Sequence, residues 1–218
     1  MPFSKFYPAN FYDMIFPQYC PYCGELTGEI CEFCEECSSK MSNMIPHEQI
    51  LRNGVKTISA FEYSGKLKYA VINYKYNKCR QFYKPFVLTY ERLIKECLSN
   101  ESFDCYTYVP PYKFDFLYRF DHTKLLAKST AELMNIPCEK LLTKSKKKQT
   151  QHILRKNERM VNVQDLYHCS DLSAKGKRIL LFDDIVTTGA TLIKCSDLLI
   201  KNGAEKVVCI TLFQTPLK

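Results

Sequence analysis

The segment that decides the fold reads Ile179-Leu180-Leu181-Phe182-Asp183-Asp184-Ile185-Val186-Thr187-Thr188-Gly189-Ala190-Thr191. A continuous apolar run that delivers two carboxylates is typical of a parallel strand that is buried on both faces. Open α/β sheets bind their ligands at the carboxyl ends of such strands. We therefore predict an α/β domain with a ligand site at Asp183 and Asp184.

The residues that follow the two acids are suited to a phosphate. Three threonines surround Gly189 at the predicted start of a helix. Their hydroxyls can donate hydrogen bonds, the glycine lets the backbone approach an anion, and a helix N-terminus adds N–H groups with a positive partial charge. The adjacent carboxylates can accept hydrogen bonds from a sugar diol or face a divalent cation. The segment is expected to bind ribose 5-phosphate, whereas a buried strand with an acidic N-cap would explain only one acid.

Apolar patterning along the rest of the chain alternates between strands and helices. Strands are predicted at residues 55–63, 106–110, 178–183 and 207–213, and helices at residues 66–74, 84–98, 122–134 and 191–202. This alternation favours a parallel sheet flanked by helices. We predict two units: an aromatic arm with a cysteine module in residues 1–50, and the α/β domain in residues 51–218.

The composition is that of a globular protein, with 46% hydrophobic and 25% charged residues among 218. No apolar run reaches the roughly 20 residues that a membrane span requires. The first residues lack the apolar core of a signal peptide. We therefore expect a cytoplasmic protein without a membrane span, a setting in which clustered cysteines are more typical of a metal site than of disulfides.

Five of the 12 cysteines lie close together near the N-terminus. Cys20 and Cys23 form one Cys-x-x-Cys pair, and Cys34 and Cys37 form a second pair, with ten residues between the two pairs. Four thiolates are preferred ligands of tetrahedral zinc, and two such pairs can close a structural site without a large core. Cys31 forms an alternative pair with Cys34. We favour zinc ligation by Cys20, Cys23, Cys34 and Cys37; reduced cysteines without metal are the alternative.

Positive charge is concentrated in one stretch of the chain. The formal net charge is +8, and residues 140–159 hold eight basic residues against one acidic residue, Glu158. Such a stretch suits a polyanionic partner, either a diphosphate or a nucleic acid. The contacts that we predict for pyrophosphate or DNA are Lys146, Lys147, Lys148 and Arg159. A solvated basic loop is the alternative.

Tyrosines are interleaved with basic residues in a second region. Within residues 66–84, the aromatic members are Tyr69, Tyr74, Tyr76 and Tyr83, and the basic ones are Lys66, Lys68, Lys75, Lys78, Arg80 and Lys84. Aromatic stacking within a basic groove holds single-stranded nucleic acid without sequence preference. A tyrosine-rich core would produce the same composition.

The segment that ends at Thr191 closely resembles the phosphoribosyl pyrophosphate motif of type I phosphoribosyltransferases. By that resemblance Asp183 and Asp184 hold the ribose hydroxyls, and the residues that cradle the 5-phosphate are Thr187, Thr188, Gly189, Ala190 and Thr191. The resemblance also implies magnesium bridging the pyrophosphate and the ribose diol. The fold expected is a type I phosphoribosyltransferase-like parallel sheet flanked by helices, with a small N-terminal zinc-binding module.

A four-cysteine ribbon followed by such a domain resembles the ComF family, which is associated with natural competence for DNA uptake. Further matching segments are Tyr63-Ser64-Gly65, Val109-Pro110-Pro111, Gln151-x-x-Leu154 and Arg159-x-x-Asn162. The chain departs from the family at residues 118–122, where Tyr-Arg-Phe-Asp-His replaces Arg-Gly-Phe-Asn-Gln. A pyrophosphate contact by Arg119 therefore stays open. His122 can be read as a proton-transfer group or as a histidine at a helix start.

The ComF resemblance implies a phosphoribosyl pyrophosphate-binding protein that acts in natural transformation. Its expected role is to handle incoming single-stranded DNA in the cytoplasm, with partners in the competence machinery. The alternative is an active phosphoribosyltransferase of nucleotide metabolism, which transfers ribose 5-phosphate to an unidentified acceptor and has no DNA role. The sequence assigns no catalytic residue.

Overall fold

The structure, a computed structural model, describes residues 18–20, 23–27, 34–42, 44–63, 68, 83–111, 121–145, 166–169 and 172–216. The strands of this part of the chain are β1 (Gln18–Tyr19), β2 (Leu26–Thr27), β3 (His47–Ile50), β4 (Lys56–Glu62), β5 (Cys105–Tyr108), β6 (Leu142–Lys144), β7 (Tyr167–Cys169), β8 (Arg178–Val186) and β9 (Lys206–Gln214). Its helices are α1 (Glu35–Ser42), α2 (Tyr83–Cys97), α3 (His122–Met134) and α4 (Ala190–Lys201).

A five-stranded sheet with the order β3-β4-β9-β8-β5 forms the centre of the fold. The pairs β4–β9, β9–β8 and β8–β5 are parallel, and β3 pairs antiparallel with β4 at one edge. Two further antiparallel pairs, β1–β2 and β6–β7, lie outside this sheet. The predicted α/β class, with a mostly parallel sheet, is confirmed.

Strand β8 is apolar on both faces because helices cover both. Leu180 and Phe182 belong to one core cluster, together with buried residues of α2 and α3. Ile179 and Leu181 belong to a second cluster, together with buried residues of α4. Side chains alternate between the faces of a strand, so a continuous apolar run is what this central position requires.

The predicted strands and helices agree with the structure wherever it describes them. Helix α3 begins and ends where the apolar spacing predicts; the Asp121 carboxylate caps it by accepting a hydrogen bond from the Lys124 N–H at 2.9 Å. Strand β8 continues past Asp183 to Val186, because β9 continues beside it and pairs Ile185 with Phe213. The predicted helix at residues 66–74 lies outside the described residues except for residue 68.

Strand β3 joins the central sheet although its sequence lies within the predicted N-terminal module. His47–Ile50 is too short and too polar for its alternation to stand out. The module also contributes Cys20, Cys37 and Met44 to the core cluster that contains Phe86 and other residues of α2. The two predicted units therefore share one core. None of the described helices is long and apolar enough to cross a membrane.

Candidate ligand site and metal centre

The two predicted acids lie together near the carboxyl end of β8. Asp183 and Asp184 are both half-buried. The Asp184 N–H donates a hydrogen bond to Asp183 Oδ1 at 2.9 Å. The Tyr90 hydroxyl, from α2, donates to the carbonyl oxygen of Asp183 at 2.6 Å. The site therefore presents two carboxylates on a stretch of backbone that helix α2 supports.

Residues 187–191, here called the threonine loop, lead from β8 into α4 and include the first two residues of that helix. Thr187 and Thr188 are exposed, whereas Gly189 is buried and has φ +74°. Gly189, the N-cap residue of α4, has no side chain to cap the helix, and the Ala190 N–H donates a long hydrogen bond to Thr188 Oγ1 at 3.4 Å. The first N–H groups of a helix have no intrahelical acceptors. A cavity of about 30 Å³ lies among these residues and Asp183. Asp183 and the predicted phosphate-binding residues thus line one small polar cavity, and Asp184 is the next residue along β8.

The turn between β3 and β4 packs against the threonine loop. A Cβ atom on Gly189 would lie 2.8 Å from Leu51 Cδ2, which is too close. Asn53 Nδ2 fixes the same turn to α4 by donating to Ser196 Oγ at 2.9 Å and Asp197 Oδ1 at 2.8 Å. Glycine is therefore favoured at residue 189 by its positive φ, and a larger residue would also require the end of the Leu51 side chain to shift.

Two residues at this site, Lys144 and Tyr167, were not predicted individually. Lys144 Nζ on β6 donates to the Tyr167 hydroxyl on β7 at 2.8 Å and lies 4.5 Å from the ring centroid. Burial raises the pKa of Tyr167 to about 12, and a hydrogen bond with the Thr191 side chain opposes that shift. Burial lowers the pKa of Lys144, and the negative charge of Asp183 opposes that shift. The pair therefore connects the β6–β7 hairpin to Asp183 and the threonine loop.

A short strand such as β7 gives little sequence signal, and this explains why Tyr167 was missed. Lys144 lies at the start of the basic stretch, but charge alone does not show which lysine faces the acids. The predicted contacts Lys146, Lys147, Lys148 and Arg159, and also Arg119, lie outside the described residues. Tyr69, Tyr74, Tyr76 and Cys31 also lie outside them. Their roles stay predictions.

His122 begins α3, next to the N-cap residue Asp121. Burial raises the pKa of the Asp121 carboxyl above its usual value. The location agrees with the interpretation of His122 as a histidine at a helix start. It does not bring His122 into the cavity lined by Asp183 and the threonine loop.

The four predicted zinc ligands come together in the N-terminal module. The Sγ atoms of Cys20, Cys23, Cys34 and Cys37 all lie within 4.8 Å of one another. The Cys23 and Cys34 Sγ atoms are 3.5 Å apart. Gly24, with φ +76°, makes the turn between β1 and β2 that orients the first pair; α1 carries Cys37.

Burial raises the pKa of the Cys23 thiol to about 12 and also raises that of Cys37. Buried thiols in such close contact ionise readily only beside a cation, since metal ligation requires thiolates. Four clustered sulfur atoms therefore form a site that can hold a metal ion, and a set of four cysteines is typical of structural zinc.

Comparison with known proteins places the acid pair and the threonine loop in a known type of domain. Residues 125–218 match the family model of the phosphoribosyl transferase domain. The chain is therefore phosphoribosyltransferase-like in the part that carries the site.

Curated relatives match over shorter segments. The DNA utilization protein YhgH of Escherichia coli O157:H7 is 33% identical over 66 residues, which are 30% of this chain and 29% of that protein. The ribose-phosphate pyrophosphokinase of Pyrococcus furiosus is 51% identical over 37 residues, 17% of this chain and 13% of that protein. The matches therefore span less than a third of either relative.

Among solved structures, the adenine phosphoribosyltransferase of Saccharomyces cerevisiae is similar with a TM-score of 0.45 and 11% identity. The similarity covers 81% of this chain and 89% of that protein.

Proposed function

We propose that the chain binds phosphoribosyl pyrophosphate together with magnesium at the acid pair and the threonine loop. The observation that carries the proposal is that Asp183 and residues 187–191 line one small polar cavity near the end of β8, with Asp184 next to Asp183 in the strand. The N-terminus of α4 favours the 5-phosphate, because the N–H groups and the positive partial charge of a helix start attract anions. The family match over residues 125–218 supports the same ligand class.

Each part of the site has a role in this proposal. The Asp183 and Asp184 carboxylates accept hydrogen bonds from the ribose hydroxyls and face magnesium, which when bound offsets the charge of the pyrophosphate. Thr187, Thr188 and Thr191 donate hydroxyl hydrogen bonds to the 5-phosphate. Lys144 supplies a positive charge beside Asp183. It lies on β6, and most of the basic stretch lies in the chain between β6 and β7.

We further propose a ComF-type role, in which the protein handles incoming single-stranded DNA in the cytoplasm during natural transformation. A relative that matches 66 residues is named a DNA utilization protein. The net charge of +8 and the basic stretch at residues 140–159 favour a polyanionic partner. In this proposal the DNA contacts, including Lys146, Lys147 and Lys148, lie outside the ribose-phosphate cavity.

The second candidate is an active phosphoribosyltransferase without a DNA role. The complete set of two acids, three threonines and Gly189 favours it, because DNA binding alone does not need this constellation. In such an enzyme the ligand would be a substrate, and magnesium with basic side chains would stabilise the departing pyrophosphate.

A competition experiment separates the two candidates. Binding of single-stranded DNA is measured against salt, with and without phosphoribosyl pyrophosphate and magnesium. We expect DNA binding that the small ligand does not abolish. Neutralising Lys146, Lys147 and Lys148 together is expected to flatten the slope of log affinity against log salt by up to about 2, since each phosphate contact on a single strand contributes about 0.7.

The matched control neutralises three exposed lysines elsewhere, Lys128, Lys175 and Lys201. A DNA role for the basic stretch requires the first variant to lose more affinity than the control. Complete displacement of DNA by the small ligand would contradict the DNA-handling proposal and favour the enzyme.

A further inference from the structure

The peptide group that joins Asp183 to Asp184 is held at both of its polar ends by side chains. Its carbonyl oxygen accepts a hydrogen bond from the Tyr90 hydroxyl at 2.6 Å. Its N–H donates to Asp183 Oδ1 at 2.9 Å. The carboxylate of Asp183 is therefore tied to the same peptide group that Tyr90 holds.

This peptide group lies where the pairing of the sheet is interrupted. The ladder between β8 and β9 pairs Asp183 with Thr211 and Ile185 with Phe213 but passes over Asp184. The ladder between β4 and β9 passes over Leu212 at the same level. On β9 the Thr211 hydroxyl donates to the Phe213 carbonyl at 3.1 Å. Side-chain hydroxyls thus bond to carbonyl groups at the interruption, as buried carbonyls require partners.

Tyr90 is itself fixed in place. It is fully buried in α2, with 0% of its surface exposed. Its ring centroid lies 4.9 Å from that of Phe182, the residue before Asp183. Ring packing therefore fixes the hydroxyl relative to β8 at the residue where the acid pair begins.

We propose that Tyr90 is a positioning residue for the acid pair, and that its hydroxyl sets the direction in which the Asp183 carboxylate meets a ribose diol. The inference rests on the proposed function. Loss of the hydroxyl would let the peptide group rotate, and the carboxylate bound to its N–H would move with it. Binding geometry of this kind depends on a rigid supporting layer of hydrogen bonds and packing.

The test compares Tyr90→Phe with Tyr106→Phe. Tyr106 is a matched control because it is also buried and packs on Phe182, at 5.2 Å, but from β5. The probes are ribose 5-phosphate, 2-deoxyribose 5-phosphate and inorganic phosphate, each with magnesium. The deoxy sugar lacks one hydroxyl of the diol, and inorganic phosphate lacks the sugar altogether.

We expect the wild-type protein and Tyr106→Phe to prefer the ribose compound over the deoxy compound. In Tyr90→Phe this preference should fall by roughly 3- to 10-fold, the range expected for one hydrogen bond, while affinity for inorganic phosphate stays the same. A merely structural role would weaken all three probes equally. That result, or an unchanged preference, would overturn the proposal.

Hydrogen exchange of the Asp184 amide provides a second measurement, which needs no ligand. We expect faster exchange in Tyr90→Phe than in Tyr106→Phe, and equal rates would contradict the role of the hydroxyl. If the wild-type protein binds neither phosphoribosyl pyrophosphate nor the ribose compound, the proposed function fails. The exchange rates then still decide whether Tyr90 holds the peptide group.

Discussion

Gly189 shows how much of the site depends on one residue. Its φ of +74° would cost an alanine roughly 1–2 kcal/mol. The added Cβ would also meet Leu51 Cδ2 at 2.8 Å. We therefore expect Gly189→Ala to lower the free energy of unfolding and to weaken binding of phosphoribosyl pyrophosphate, as measured by denaturant unfolding and by titration.

A double variant tests the contact between Gly189 and Leu51. Leu51→Ala alone should destabilise the protein, because Leu51 is only 7% exposed, but it also removes the clash. The double variant is then less destabilised than the sum of the single variants by roughly 0.5–3 kcal/mol, the coupling typical of touching residues. Additive effects would show that the turn and the loop do not touch.

At the scale of single residues, the sequence predicts which side chains could bind a ligand, but it does not predict contacts between segments that are distant in the chain. Two acids followed by three threonines around a glycine indicate a sugar-phosphate site, whatever position the strand takes in the sheet. The supporting contacts of Leu51, Tyr90 and Tyr167 depend on how the sheet brings distant segments together. None of these three residues differs in type from an ordinary core residue.

At the scale of helices and strands, an ion cluster joins the segment after α2 to the amino-terminal ends of β8 and β9. These are the strand ends opposite the acids. Glu101 Oε2, just after α2, lies 2.6 Å from Lys206 Nζ and 3.0 Å from Arg178 Nη2. The hydrogen bond from Lys206 lowers the pKa of Glu101 below its usual value of 4.5. This depression stabilises the fold at pH values above 4.5, and the stabilisation disappears as the pH falls through the folded-state pKa.

Glu101→Gln should therefore lower the free energy of unfolding by about 1 kcal/mol at pH 7, and the difference should vanish in acid. Denaturant unfolding across this pH range measures the effect. Glu96→Gln is the control, since its pair with Arg92 is more exposed and should contribute about 0.5 kcal/mol or less. A Glu101→Gln effect that persists in acid would contradict the assignment to this carboxylate.

How clearly the sequence predicts a helix or a strand depends on the length of that element. Helix α3 and strands β8 and β9 carry enough apolar residues for their periodicity to be clear. Strands β3, β6 and β7 have only three or four residues each. This is too few for apolar alternation to be clear, so only the strands that they pair with define them. Tyr167 of β7 belongs to the same core cluster as buried residues of α4, an arrangement that residues 167–169 alone do not reveal.

For the whole molecule, the cysteine cluster and the α/β domain share a core. Cys20 and Cys37 are buried in the same cluster as residues of α2. We expect one zinc per chain, bound by Cys20, Cys23, Cys34 and Cys37, and expect its removal to lower the unfolding temperature of the entire protein. Metal analysis and thermal unfolding of Cys→Ser variants measure both effects.

The control for the cysteine variants is Cys97→Ser, which changes a half-buried cysteine outside the cluster. Zinc should be lost in Cys34→Ser and Cys37→Ser and retained in Cys31→Ser and in the control. Zinc that survives loss of Cys37 but not loss of Cys31 would show that the alternative pair, Cys31 with Cys34, supplies the ligands.

The most direct test of the central claim is thermal unfolding with and without phosphoribosyl pyrophosphate and magnesium. Ligand at about 100 times its dissociation constant should raise the unfolding temperature of the wild-type protein by roughly 5–10 °C. Asp183→Asn with Asp184→Asn should abolish the shift in a folded protein. The charge-matched control Glu132→Gln with Glu205→Gln, at exposed positions, should keep it. An equal shift in the acid-pair variant would contradict the account, because the ligand would then bind elsewhere.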